Sequence, residues 1–205
     1  MLEKLNDSQL DFLKEIGNIG SGNAATALST MIGKKVDISV PSTKVVPISQ
    51  IPFIFENPEE IVCAIKMKMR EDVEGEILLI LNSKTVKEIT KILTGNSLED
   101  ITSLDEFSSS MLKEIGNIMC GSYVTALSGF TSFFINPDPP ELAVDMISAV
   151  LAEVSLSVST TEDYILLIET SIKIEGIDKE LTGYLLLLPN EESLEKILKK
   201  LGMWN

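Results

Sequence analysis

The sequence predicts an α+β domain with pseudo-twofold symmetry, in which a duplicated unit merges its strands into one mainly antiparallel sheet with two long helices on one side. Three observations carry this. DFLKEIGNIGSGNAATALS at 11–29 aligns without gaps to SMLKEIGNIMCGSYVTALS at 110–128, an offset of 99 residues. GEILLILNSKTVKEITKILTG at 75–95 resembles GYLLLLPNEESLEKILKKLG at 183–202, now offset by 108. Between these paired segments each half holds runs of β-branched and long aliphatic residues. The halves, about 1–100 and 101–205, are expected to form a single domain, and the larger second offset implies an insertion in the middle of the second half.

Taken in order, Ser8-x-x-Asp11 and Ser103-x-x-Glu106 read as capping boxes opening the two long helices. Gly33 and Gly129 lie where C-terminal caps are expected. KVDISV (35–40), EEIVCAIKMKMR (59–70) and GEILLILN (75–82) read as strands of the first half. The alternation in AIKMKM predicts a strand with one wet face, and REDVEGE (70–76) predicts a hairpin and hence antiparallel pairing. EVSLSVSTT (153–161), YILLIETSIKI (164–174) and GYLLLLP (183–189) are the strand candidates of the second half. PPELAVDMISAVLAEV (139–154) has helical spacing and lies where that half gains residues, so it reads as an extra helix. The closing helices SKTVKEITKILTG and NEESLEKILKKLG each end in glycine.

Composition narrows the chemistry. The 205 residues are 44% hydrophobic and 23% charged, a globular balance long enough for a real core. A net charge of −14 disfavours nucleic acid and anionic membrane alike, since both carry the same sign. The absence of histidine removes Ser-His-Asp and Cys-His catalysis and the commonest transition-metal ligand, so no resident metal or cofactor is expected. Cys63 and Cys120 sit in apolar runs and read as buried reduced thiols. MLEKLNDSQL is polar, unlike a signal peptide, and no apolar run approaches the roughly 20 residues of a membrane span, so a cytoplasmic location is expected. The closely spaced glycines of GNIGSGN fall inside a helix rather than between strand and helix, which excludes a dinucleotide loop.

At 100° per residue from Asp11, the residues Leu13, Ile16, Gly20, Ala24, Ala27 and Met31 fall within about 140–220° and predict the buried stripe. Asp11, Glu15, Asn18, Gly22, Ala25 and Ser29 fall within about 40° of zero, on the opposite face. The second helix repeats that face with Ser110, Glu114, Asn117, Gly121 and Ser128. Glycine inside a helix costs about 0.8–1.0 kcal/mol relative to alanine. Gly17, Gly20 and Gly116 can repay that by close packing, but no core demands Gly22 and Gly121. At those two positions a missing side chain leaves room for another molecule to approach. Glu and Asn kept at matched exposed positions in both halves mark a contact surface.

The pattern Asp/Ser-x3-Glu-x2-Asn-x22-Pro occurs as Asp11, Glu15, Asn18, Pro41 and again as Ser110, Glu114, Asn117, Pro140. It resembles the CheC/CheX/FliY family of bacterial chemotaxis phosphatases, and two copies without room for a further switch domain resemble its CheC branch. The resemblance implies hydrolysis of the aspartyl phosphate on the response regulator CheY. An acyl phosphate is already activated, so positioning and electrostatics suffice and no covalent nucleophile is required. Asn18 and Asn117 are assigned to orient the attacking water, because an amide both donates and accepts. Glu15 and Glu114 are assigned to pair with a lysine beside the phosphorylation site. Asp11 and Ser110 read as rim contacts or cap-adjacent helpers, and Pro41 and Pro140 as fixing the chain where it enters or leaves a strand. Mg²⁺ is expected in the partner's acidic pocket rather than here. The family also implies a second partner, the receptor deamidase CheD, placed near Leu142–Val154, where the apolar residues read equally as core. The alternative reading is a non-catalytic adaptor that binds phosphorylated CheY, CheD or both.

Overall fold

The computed structural model describes residues 5–54, 57, 59–157 and 164–203. Seven strands form one sheet: β1 (Val36–Pro47), β2 (Ile61–Glu71), β3 (Gly75–Asn82), β4 (Ile135–Pro137), β5 (Glu141–Met146), β6 (Tyr164–Ile174) and β7 (Leu181–Pro189). Among the described residues there are five α-helices: α1 (Asp7–Ile32), α2 (Ser83–Thr94), α3 (Glu106–Thr131), α4 (Ile147–Ser157) and α5 (Glu191–Lys200). Every pairing is antiparallel, and the order is β1-β6-β7-β3-β2-β4, with β5 continuing the β4 edge along β2. The order is symmetric about the central β3–β7 pair. The first strand of each half crosses over to pair with the other half, β1 on β6 and β4/β5 on β2.

The sheet is apolar on both faces at its centre, which is why β3 and β7 read as unbroken hydrophobic runs. Ile77, Leu79 and Leu81 of β3 face the main core with α1, α2, α3 and α5, while Leu78 and Ile80 face a second core closed by α4 and Ile51. The far end of β2 alternates as expected, Met67 and Met69 buried and Lys68 and Arg70 exposed. Its hairpin with β3 turns on Glu71 (φ 79°) and Gly75 (φ 149°). An added Cβ at Gly75 would lie 2.3 Å from the carbonyl oxygen of Leu188, so the turn admits no side chain there.

Several local expectations are corrected. The helix caps are Asn6 and Asp105, not Ser8 and Ser103; Asn6 forms a full capping box with Gln9, and Asp105 accepts from the Ser108 N–H at 2.7 Å. Both caps stand at a point where the backbone turns from extended to helical, and the Ser positions are already too far into or outside that turn. Gly33 does cap α1 in the left-handed region, but Gly129 remains helical and Ser132 (φ 58°) caps α3. The segment 139–154 is not one helix: β5 occupies Glu141–Met146 because β2 offers an unpaired edge, and only Ile147 onward is helical. The strand expected over 153–161 is overturned for Glu153–Ser157, which belong to α4; the remainder lies outside the described residues. In α1 the buried set is Leu13, Ile16, Gly17, Gly20, Ser21, Ala24 and Leu28, whereas Ala27 is exposed and Met31 half-exposed. The stripe is shifted because α1 packs on two partners at once, the sheet through Gly17 and α3 through Gly20.

Candidate functional site

Two close approaches set the depth and direction of the motif helices. A Cβ at Gly17 would lie 3.2 Å from Val40 Cγ2, and one at Gly116 would lie 2.3 Å from Ile65 Cγ2, so both helices ride directly on the sheet. A Cβ at Gly20 would sit 3.0 Å from the backbone of Ser122 and Tyr123, where the two helices cross. The ring of Phe12, near the start of α1, meets Phe130, near the end of α3, edge-on at 5.5 Å. Contacts running from 12–130 to 20–122 make the helices antiparallel. The Glu/Asn pairs therefore lie on opposite sides of the crossing, about 15 Å apart along the axis at 1.5 Å per residue.

Glu15 and Glu114 are exposed, and neither makes an ion pair among the described residues. Asn18 and Asn117 lie one turn further on, both half-buried. Asp11 and Ser110 are exposed at the rim of the same faces. Gly22 and Gly121 have no atom within 4 Å of where a Cβ would be, so both leave open space beside the pair. Ser29 and Ser128, assigned to this face by the helical wheel, instead turn toward the following strand: Ser29 Oγ accepts from the Val36 N–H at 2.9 Å, and Ser128 Oγ donates to the Phe133 carbonyl.

The prolines stand at matched interruptions of the two edge strands. Between the pairs Ser39–Ser171 and Ser42–Glu169, Val40 and Pro41 oppose Thr170 alone, a β-bulge. On the other edge, Asp138, Pro139 and Pro140 span the gap between β4 and β5. Proline is tolerated at such places because no ladder hydrogen bond is lost. The bulge brings β1 under α1, and Asn18 Oδ1 accepts from the Val40 N–H at 3.0 Å.

Sequence reasoning missed that contact and also an apolar rim. Phe12 (36% exposed), Ile19 (41%) and Phe130 (40%) flank the first site. Phe12 and Ile19 sit to the side of the polar stripe, and only the antiparallel crossing adds Phe130 to them. Burial pushes the thiols of Cys63 and Cys120 up to about 12, so neither is a nucleophile. Among the described residues no three acidic or cysteine side chains converge as a metal site would need, and no helix is long and apolar enough to cross a membrane.

Residues 9–45 and 107–144, which hold the two motif copies, match the model of the CheC-like family. Across 200 residues the chain is 33% identical to the CheY-P phosphatase CheC of Bacillus subtilis, spanning 97% of this chain and 96% of that protein. The chain belongs to the CheC-like family. The flagellar motor switch phosphatase FliY of B. subtilis is 34% identical over 142 residues, 69% of this chain but 37% of that protein. The crystal structure of Thermotoga maritima FliY superimposes with a TM-score of 0.79 at 26% identity, covering 98% of this chain and all of the other. The T. maritima protein thus shares the fold described here.

Proposed function

We propose that this protein hydrolyses the aspartyl phosphate of phosphorylated CheY at two sites, one on each motif helix. The observation that carries the reading is the pairing of an exposed, unpaired glutamate with a half-buried asparagine one turn away, twice, on rigid helices beside an open glycine. The similarity to a CheY-P phosphatase along nearly its whole length supports it.

Glu15 or Glu114 docks the regulator by pairing with a cation beside its phosphorylated aspartate. Asn18 or Asn117 then holds a water in line with the departing carboxylate. The water oxygen bonds to phosphorus as the phosphorus–carboxylate oxygen bond breaks; the aspartate leaves as carboxylate and the proton departs with inorganic phosphate. Mg²⁺, held by the regulator's own acidic pocket, would supply the charge that offsets the phosphoryl oxygens. Glycine at 22 and 121 lets the regulator approach without a clash. CheD, the second proposed partner, would dock near Leu142–Val154. Leu142 and Val144 of β5 pack toward the main core, while Ile147, Val150, Leu151 and Val154 of α4 form the second core on the opposite face of the sheet. Docking there would fall to the exposed Ala143, Met146 and Ala152.

The test is the decay of a phosphorylated CheY-type regulator with and without the protein. Decay should accelerate, and the Asn18→Ala/Asn117→Ala double variant should lose roughly 100-fold or more while still binding and remaining folded. Acceleration that survives in the double variant would refute the water-positioning role, and tight binding without acceleration would establish an adaptor.

A further inference from the structure

The two motif copies differ at one backbone atom. Val40 lies in the β1 bulge, and its N–H is taken up by Asn18 Oδ1 at 3.0 Å. A backbone N–H can only donate, so the contact decides how the amide is turned: the oxygen faces the strand and the two Nδ2 protons face away. At the 99-residue offset the counterpart of Val40 is Pro139, which has no N–H to offer. Among the described residues the Asn117 side chain has no hydrogen-bond partner.

We infer that the two sites are unequal: Val40 is a positioning residue that ties the oxygen of Asn18 to β1, and Pro139 leaves the whole amide of Asn117 free, so the second site carries most of the hydrolysis. The inference rests on the phosphatase reading above. Orienting an in-line water uses the amide oxygen to accept one of its protons. At the first site one of that oxygen's two lone pairs is taken and its direction is fixed by the strand. A water is left the other lone pair only, in the geometry the strand imposes. Releasing the oxygen would strand the N–H of a residue only 2% exposed, a larger penalty than ordering one free side chain. At the second site only the side-chain rotamer has to be fixed. The edge strand there is split between β4 and β5, so the strand does not draw Asn117 back.

The experiment compares regulator dephosphorylation by the wild type, Asn18→Ala, Asn117→Ala, the double variant and Pro139→Val. Asn117→Ala should cost about tenfold more in kcat than Asn18→Ala, the factor one hydrogen bond of ordinary worth supplies, with KM little changed in either. Pro139→Val restores a donor at an exposed position and should lower kcat with KM unchanged. Independently of activity, the Val40 amide should exchange slowly in the wild type and faster in Asn18→Ala. Equal kcat losses from the two single variants, an unaltered kcat in Pro139→Val, or Val40 exchange indifferent to Asn18 would each overturn the inequality. If the wild type fails to accelerate decay at all, the phosphatase reading falls instead, and the exchange data still decide whether the tether exists.

Discussion

On α1 the buried face at the crossing carries Gly20 and Ala24; at the same places in the repeat, α3 carries Met119 and Tyr123. Two copies of one helix packed against each other cannot both be large there without overfilling the interface, nor both small without leaving a void. The pair has resolved this by complementarity. Tyr123 fills the room that Gly17 and Gly20 leave, its ring 3.7 Å from the Cβ position of Gly17. The exposed faces show the opposite behaviour, with Glu15 and Asn18 repeated as Glu114 and Asn117. Gly20 and Ala24, at the crossing, have diverged to Met119 and Tyr123, whereas the Glu and Asn of the site have stayed alike.

The largest effect should come from breaking that complementarity. Tyr123→Ala removes a fully buried ring and is expected to destabilise the fold by about 3–5 kcal/mol, measured by denaturant unfolding. Ala24, its counterpart in the repeat, has no comparable volume to lose. Tyr123→Phe sharpens the point, because the buried hydroxyl has no hydrogen-bond partner among the described residues. The same burial pushes its pKa up. Removing the oxygen should raise stability by about 1 kcal/mol; a loss of that size would show that the hydroxyl is satisfied in solution.

A second comparison sets glycines under the helix against glycines beside the site. Gly116→Ala would press a Cβ into Ile65 and should cost about 1–3 kcal/mol. Gly121→Ala meets nothing within 4 Å and should gain about 0.5–1 kcal/mol from helix propensity alone. On the proposed function, hydrolysis of the phosphorylated regulator should nevertheless slow, through a raised KM. A stabilised variant of unchanged KM would remove Gly121 from the docking surface.

The smallest effect concerns the caps. Asp105 accepts the Ser108 N–H, which holds its carboxyl below the usual carboxylate range, whereas Asn6 caps α1 without a charge. A lowered folded-state pKa stabilises above the unfolded value and loses that contribution as pH falls through the folded one. Below about pH 4, therefore, amide exchange at Ser108 should quicken relative to Gln9, and equal protection at both amides would contradict the difference between the caps.

Much of this was legible in the residues. The repeat, the antiparallel hairpin, the long helices, the exposed glutamates and the open glycines all follow from local pattern, because a helix at 100° per residue fixes which side chains share a side. The asparagines, expected exposed, are half-buried because the neighbouring structure closes over them. The strand β5 was not legible, since ELAVDM forms a strand only when the edge of β2 is there to pair with it. Nor was the tie between Asn18 and Val40, which depends on a bulge set by β6. The alignment of Val40 with Pro139 was visible throughout, but its meaning waited on knowing where that N–H points.

By itself the sequence determined two related halves, their helices, and the side chains each helix turns outward, all consequences of short-range periodicity and a 99-residue repeat. The tertiary structure decided that the halves exchange their outer strands, that the helices cross antiparallel at Gly20, and that the two asparagines have different neighbours. Those outcomes depend on pairings between residues far apart in the chain, where backbone hydrogen bonds and buried volume must be satisfied together, and no local pattern specifies them.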